Sequence, residues 1–181
     1  LKPKAFLLEN VQGMTFKGKD EGLKLLENII AKINHETESK YSFEWRVLNA
    51  ANFGVPQMRA RVYLVGSRKG KVFKFPEPTH VDPALVGGDL FSEKPWKKAW
   101  DAIGDLERLA DAKNPEVQVG GKWGGLLESI PEGKNYLHHT DRGDGLPLFG
   151  WRTRYWGFLL KLAKNKPSWT IQAQPGGSTG P

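Results

Sequence analysis

Three short segments carry side chains whose types and spacing could do chemistry. In the first, Ala5-Phe6-Leu7-Leu8-Glu9-Asn10-Val11, a carboxylate follows directly on a continuous apolar run. Open α/β sheets place ligands at the C-terminal ends of their strands. A partly buried Glu9 there holds its proton more tightly and can donate it; the plainer alternative is a solvated strand-end carboxylate. The second segment, Leu48 to Arg61, bends at Gly54 and Pro56 and then alternates Gln57, Arg59 and Arg61. If extended, these three share one face. A planar guanidinium contacts a phosphate or a base carbonyl in a geometry lysine cannot reproduce; the alternative is a solvated edge strand. The third pairs Trp151-Arg152-Thr153-Arg154-Tyr155-Trp156 with Lys166-Pro167-Ser168-Trp169-Thr170-Ile171. Interleaved arginines and aromatics suit stacking on bases and contact with phosphates. The competing expectation, favoured for Trp151, Tyr155 and Trp156, is a small aromatic core that the arginines merely flank.

The elements that must position these groups follow from the pattern. Ala5 to Leu8 is continuous enough for a strand buried on both faces. Leu23, Leu26, Ile29, Ile30 and Ile33 recur at three- and four-residue spacing, an amphipathic helix with Asp20 and Glu21 near its positive N-terminus. Phe43, Trp45, Val47 and Leu48 mark a second strand, and Arg61 to Gly66 a third. This order fits the trailing edge of a doubly wound α/β sheet. Prolines and glycines crowd residues 71–95 and mark a boundary. Pro95 opens a short helix carrying Trp96, Ala99, Trp100 and Ile103, with Gly104 as its stop. The glycine-rich stretch from Lys113 to Gly150 predicts loops and short strands.

Composition narrows the function. The chain has 181 residues, 27 Lys+Arg, 20 Asp+Glu and no cysteine. The length suits one medium domain or two small ones, and 39% apolar residues rule out global disorder. Without cysteine there is no disulfide, no thiolate zinc site and no cysteine nucleophile within these residues. No apolar run reaches the roughly 20 residues of a membrane span, and the N-terminal apolar stretch is too short for a secretory signal. Charge is uneven: net +5 over residues 1–70 (12 basic, 7 acidic), −5 over 77–133 (6 and 11) and +5 over 134–181 (7 and 2). Basic ends around an acidic middle point to a polyanion that touches particular faces, or to solubility charge alone. His138-His139 lack a third ligand at metal spacing, so a polar loop pair is expected and no metal.

Taken together, these segments resemble the DNA cytosine-5 methyltransferase family. Leu8-Glu9-Asn10-Val11 is similar to the family's motif VI. Asn49-Ala50 through Phe53-Gly54-Val55-Pro56-Gln57-Met58-Arg59-Ala60-Arg61, with Val65-Gly66 after it, is similar to motifs VII and VIII. Pro167-Ser168-Trp169-Thr170-Ile171 is similar to the start of motif IX. The Gly-Val-Pro-Gln-x-Arg-x-Arg string is the specific part; the Glu-Asn-Val triplet alone is weak.

The resemblance implies the trailing part of a Rossmann-like methyltransferase sheet over 1–70, a small, loop-rich mixed α+β target recognition domain over 71–166, and a return to the catalytic domain at 167–181. It implies that the intact enzyme flips a cytosine out of double-stranded DNA, adds a cysteine thiolate to carbon 6 and methylates carbon 5 from S-adenosylmethionine, as in restriction–modification. Glu9 then meets ring nitrogen 3, Arg61 the base carbonyl oxygen, and Arg59 steadies the site and a phosphate. Asn10 and Gln57 hold loops beside the substrate, while Arg152, Arg154 and Thr170 are expected on the DNA side. The family's Pro-Cys loop and cofactor-binding motif I lie N-terminal to motif VI, so an excised fragment or one half of a split enzyme is expected. Alone it would be inactive and would bind no cofactor; its partners would be DNA and the remaining catalytic half, in the bacterial cytoplasm. The alternative is a non-catalytic DNA-binding specificity subunit or a degenerate relative.

Overall fold

The computed structural model describes residues 2–16, 18, 21–85, 94–109, 120–152 and 155–171. The chain forms two units, Leu1–Gly54 with Met58–Pro95, and Val55–Gln57 with Trp96–Pro181.

The first unit is mixed α/β. Strands β1 (Ala5–Val11), β2 (Ser42–Asn49) and β3 (Ala60–Ser67) form a sheet in the order β1-β3-β2. β3 runs antiparallel to both neighbours, with Glu9 opposite Tyr63, Val11 opposite Arg61 and Leu48 opposite Arg61. β1 and β2 are therefore parallel to each other, and helix α1 (Glu21–Thr37) makes the crossover between them. Asp20 lies outside the described residues. Strand periodicity sends Val62, Leu64 and Gly66 to one face. There Val62 and Leu64 pack with Leu23 of α1, and Leu26, Phe43, Val47 and Met14 close the cluster. Burying each of these β3 side chains contributes roughly 1.5–3 kcal/mol. Gly66 sits under the Phe6 ring, where a Cβ would come within 2.2 Å of it.

β1 departs from the expectation of a strand buried on both faces. It pairs on one side only, and Leu7, Leu8 and Val11 remain exposed at 63%, 43% and 55%. Its apolar run reflects side chains that nothing in this unit covers. On the face of β3 away from α1, the proline-rich stretch after residue 70 lays down Phe75, which is buried, stands edge-on to Phe73 and lies under Arg46. Two short strands, β4 (His80–Val81) and β5 (Lys94–Pro95), pair in parallel.

The second unit is held by turns. Helix α2 (Ala99–Ile103) starts after Lys98, whose N–H is taken by Asp101. The carbonyls of Lys166 and Lys164 accept the N–H groups of Ala99 and Trp100. Trp96 precedes the helix, and the α-helix ends at Gly104, its C-cap, as expected. Gly104 keeps right-handed helical angles and the chain continues as a 3-10 helix over Gly104–Leu109. The glycine is needed because a Cβ would fall 2.9 Å from the Trp100 ring. Two further 3-10 turns, Gly124–Leu127 and Tyr136–His139, replace the short strands expected before Gly150; no strand occurs among the described residues of that stretch. The most buried side chains include Ile130, Tyr136 and Thr140, with Tyr136, Phe149 and Phe158 in mutual tilted or edge contacts and Trp123 edge-on to Phe149.

Candidate active site

Antiparallel register places Glu9 and Arg61 on one face as diagonal neighbours: Arg61 faces Val11, two residues beyond Glu9. Their side chains meet, with Arg61 Nε 3.0 Å from Glu9 Oε1. Arg61 Nη1 also donates to the Ala60 carbonyl at 2.8 Å, which fixes the plane of the guanidinium. The arginine side chain is 16% exposed and the carboxylate 45%. One carboxylate oxygen and further guanidinium N–H groups remain to meet a planar polar edge arriving from solvent.

Arg59 is set one step before β3 by Asn49. The Asn49 side-chain oxygen accepts the Arg59 N–H at 2.9 Å and the Ala51 N–H at 3.3 Å, capping the 3-10 turn Ala50–Phe53. Gly54 closes that turn with φ of 81°, and a Cβ there would strike the His80 ring at 2.8 Å. The Arg59 side chain lines a shallow cleft with Leu48, Phe53, Tyr63 and Pro76. The sequence pattern alone does not assign Asn49 that task. Its signal was an N-cap residue type directly before a turn.

Asn10 alternates to the sheet face opposite Glu9, and its side chain accepts the N–H of Val11 at 2.8 Å. Gln57, Arg152 and Thr170 belong to the second unit. Gln57 forms a parallel bridge with Ser168, whose N–H donates to the Pro56 carbonyl at 2.9 Å. Thr170 lines an apolar cleft of about 470 Å³ with Val55, Ala102, Leu162 and Trp169. Arg152 is exposed, and the Tyr136 hydroxyl clamps its backbone, donating to its carbonyl at 2.8 Å and accepting its N–H at 3.2 Å. Arg154 lies outside the described residues.

Two of the three aromatics expected in a core are instead on the surface: Trp151 is 44% exposed and Trp156 53%. Tyr136, Phe149 and Phe158 already fill the interior, which leaves those indoles outside. His139 is buried; its Nδ1 donates to the Leu146 carbonyl at 3.0 Å and its Nε2 lies 2.8 Å from the Ser129 hydroxyl, so it ties loops together. Among the described residues no group of three His, Cys, Asp or Glu side chains could hold a metal ion, and no helix is long and apolar enough to cross a membrane.

In the first unit Glu9 of β1 and Arg61 of β3 form an ion pair, and in the second Arg152, Trp151 and Trp156 are exposed. The model of the C-5 cytosine-specific DNA methylase family matches residues 1–142, and the chain belongs to that family. It is 43% identical over 181 residues to the Type II methyltransferase M.SacI of Streptomyces achromogenes, covering 99% of this chain and 44% of the relative. It is 35% identical over 180 residues to the Type II methyltransferase M.NgoFVII of Neisseria gonorrhoeae, covering 98% and 44%. Against the Type II methyltransferase M.AquIA of a Picosynechococcus strain it is 46% identical over 112 residues, covering 58% and 44%. The chain thus spans less than half the length of each of these relatives.

Proposed function

We propose that this chain supplies the base-binding half of a DNA cytosine-5 methyltransferase. Its three-stranded sheet is the trailing part of a larger Rossmann-like methyltransferase sheet, and its second unit carries target recognition. The observation that carries this reading is the contact between Glu9 and Arg61 at 3.0 Å. Ring nitrogen 3 and the carbonyl oxygen of cytosine lie side by side on one edge of the base. Attack by a nucleophile at carbon 6 drives electron density towards those two atoms. Glu9 faces nitrogen 3, and a proton shared between its carboxyl and the ring nitrogen offsets the charge as it arrives. Arg61 donates to the carbonyl oxygen throughout. Donors already in place where charge develops stabilise the transition state most in a site from which water is excluded. Arg59, set by Asn49, acts at the rim of this site on the phosphate backbone.

The family's methyl donor is S-adenosylmethionine, which supplies the methyl group to carbon 5. Among the described residues no glycine-rich loop joins a strand to a helix N-terminus to receive it; after β1 the chain turns through Gln12–Thr15 with a single glycine. These residues do not fit the cofactor, and they act on the base rather than on the methyl donor. The sequence has no cysteine, so the thiolate comes from elsewhere in the intact protein and the isolated chain is inactive. Duplex DNA is the partner, and the net +5 of residues 134–181 with the exposed Arg152 supports that.

The test is single-turnover methyl transfer on saturating duplex DNA by full-length protein carrying Glu9→Gln. The amide keeps the shape but cannot transfer a proton. A general acid contributes about 100- to 10,000-fold, and the rate falls within that range while DNA affinity changes much less. An unaltered chemical step reduces Glu9 to a strand-end carboxylate and removes the reading's main support.

A further inference from the structure

We propose that Arg142 reads a guanine of the target DNA, with its guanidinium held ready on the face of Trp151. This rests on the DNA methyltransferase reading above and adds a residue that sets sequence specificity.

Four observations carry it. The first is rigidity. Thr140 is buried, its hydroxyl donates to the Leu137 carbonyl at 2.8 Å and accepts the Arg142 N–H at 3.2 Å. The N–H groups of Gly143 and Gly145 then return to the carbonyls of Thr140 and His138. A Cβ on Gly143 would lie 2.2 Å from the Leu137 carbonyl oxygen, so the loop closes tightly on backbone. Arg142 thus leaves a fixed turn, and little ordering remains to be done on binding.

The second is the platform. Arg142 Cζ lies 4.2 Å from the centre of the Trp151 ring. Stacking uses one face of the guanidinium and leaves its in-plane N–H fork open. No described carboxylate forms an ion pair with it. The third is exposure: Arg142 is exposed and Trp151 is 44% exposed, so the pair faces solvent.

The fourth is charge, and it separates base from phosphate. Residues 134–181 contain seven basic side chains and only two acidic ones, and those two, Asp141 and Asp144, flank Arg142. A loop built to neutralise phosphate would not gather the region's only carboxylates around its arginine. An alternation of donor and acceptor suits base edges. Arginine takes guanine O6 and N7 together in the major groove, and an aspartate accepts from the amino group of cytosine. A G·C pair presents both.

The experiment uses the full-length protein and bacterial genomic DNA, with methylated cytosines mapped by bisulfite sequencing to give the target motif. Arg142→Ala and Arg142→Lys are compared with wild type, each checked for an unchanged thermal melt. Both variants lose discrimination at the same G·C position, by roughly 5- to 150-fold. Lysine keeps the charge but not the fork, so it fails there as alanine does. Trp151→Leu relaxes that position by a smaller factor. A motif preserved in every variant overturns the proposal while leaving the enzyme reading intact. So does uniformly weaker binding by Arg142→Ala with a salt slope lower by about one, which is the mark of a phosphate contact. A wild-type protein that methylates no cytosine in any duplex removes both readings together.

Discussion

Two ion pairs of the same length sit in the two units. Arg61 meets Glu9 at 3.0 Å in the first, and Lys164 meets Glu107 at 3.0 Å in the second. Distance does not distinguish them; surroundings do. The Arg61 side chain is 16% exposed and is held by strand register and by the Ala60 carbonyl. Lys164 is 43% exposed, Glu107 is 60% exposed, and the ammonium also lies 3.9 Å from the centre of the Trp100 ring. The first pair is a fixed geometry with a mostly buried cation. The second is a solvated contact whose cation has another partner. A sheet places chemistry by repetition, whereas a loop-rich unit must place each group by its own local contacts.

That contrast is broken most directly at Arg61. On the proposed function, replacing it with alanine in the full-length protein removes a donor to the developing oxyanion and leaves Glu9 without its partner. Loss of one such donor costs about 100- to 1,000-fold in rate. Single-turnover methyl transfer measures it, and Lys164→Ala serves as the matched control with an unchanged chemical step. Equal losses in the two variants would erase the distinction.

The next effect is on stability. Leu64 is 2% exposed at the centre of the three-stranded sheet, where its side chain meets Leu23 and Val62. Leu64→Ala destabilises the first unit by about 2–5 kcal/mol, because the surrounding sheet and helix collapse only partly into the cavity. Thermal or urea unfolding followed by circular dichroism reports it. A cost below the range would mean that α1 moves in to fill the space.

A pair of glycines sharpens the comparison further. A Cβ would come 2.2 Å from its neighbour at both Gly66 and Gly143. At Gly66 that neighbour is the outer edge of the Phe6 ring, which can swing away. At Gly143 it is the Leu137 carbonyl oxygen, which cannot move without opening the turn. Gly143→Ala therefore costs about 1–3 kcal/mol by overpacking, and Gly66→Ala less. Melting curves of the two variants give the order directly.

These contrasts explain what the sequence revealed. In the first unit the periods of 3.6 and 2 located α1, β2 and β3, and strand register brings Glu9 and Arg61 into contact. The exposure of β1 departs from its pattern because an apolar run records what a strand can cover, not whether its cover is present. In the second unit no period operates. Gly104 ends α2 as expected but also packs closely under Trp100, and Trp151 faces outward because Tyr136, Phe149 and Phe158 fill the core. Composition says that aromatics will pack; it does not say which of several will be left over. The positioning by Asn49 is not legible in the pattern for a related reason, since it depends on contacts closed by the backbone of a turn.

The smallest effect tests the solvated pair. Glu107→Gln removes the charge opposite Lys164 and keeps the side chain's size. The ammonium retains water and the Trp100 ring, so little is stranded. Exposed pairs contribute about 0.2–1 kcal/mol, and here the loss lies at the low end because the cation keeps its aromatic contact. Salt screens what remains: the variant and wild type melt slightly apart at low ionic strength and together at high. Trp100→Leu combined with Glu107→Gln then removes both partners, and the double-mutant cycle isolates how far each stands in for the other. If Glu107→Gln alone destabilises the unit by several kcal/mol at all salt concentrations, the second pair is as deeply committed to structure as Arg61 with Glu9. The two units would then hold their charges by the same means.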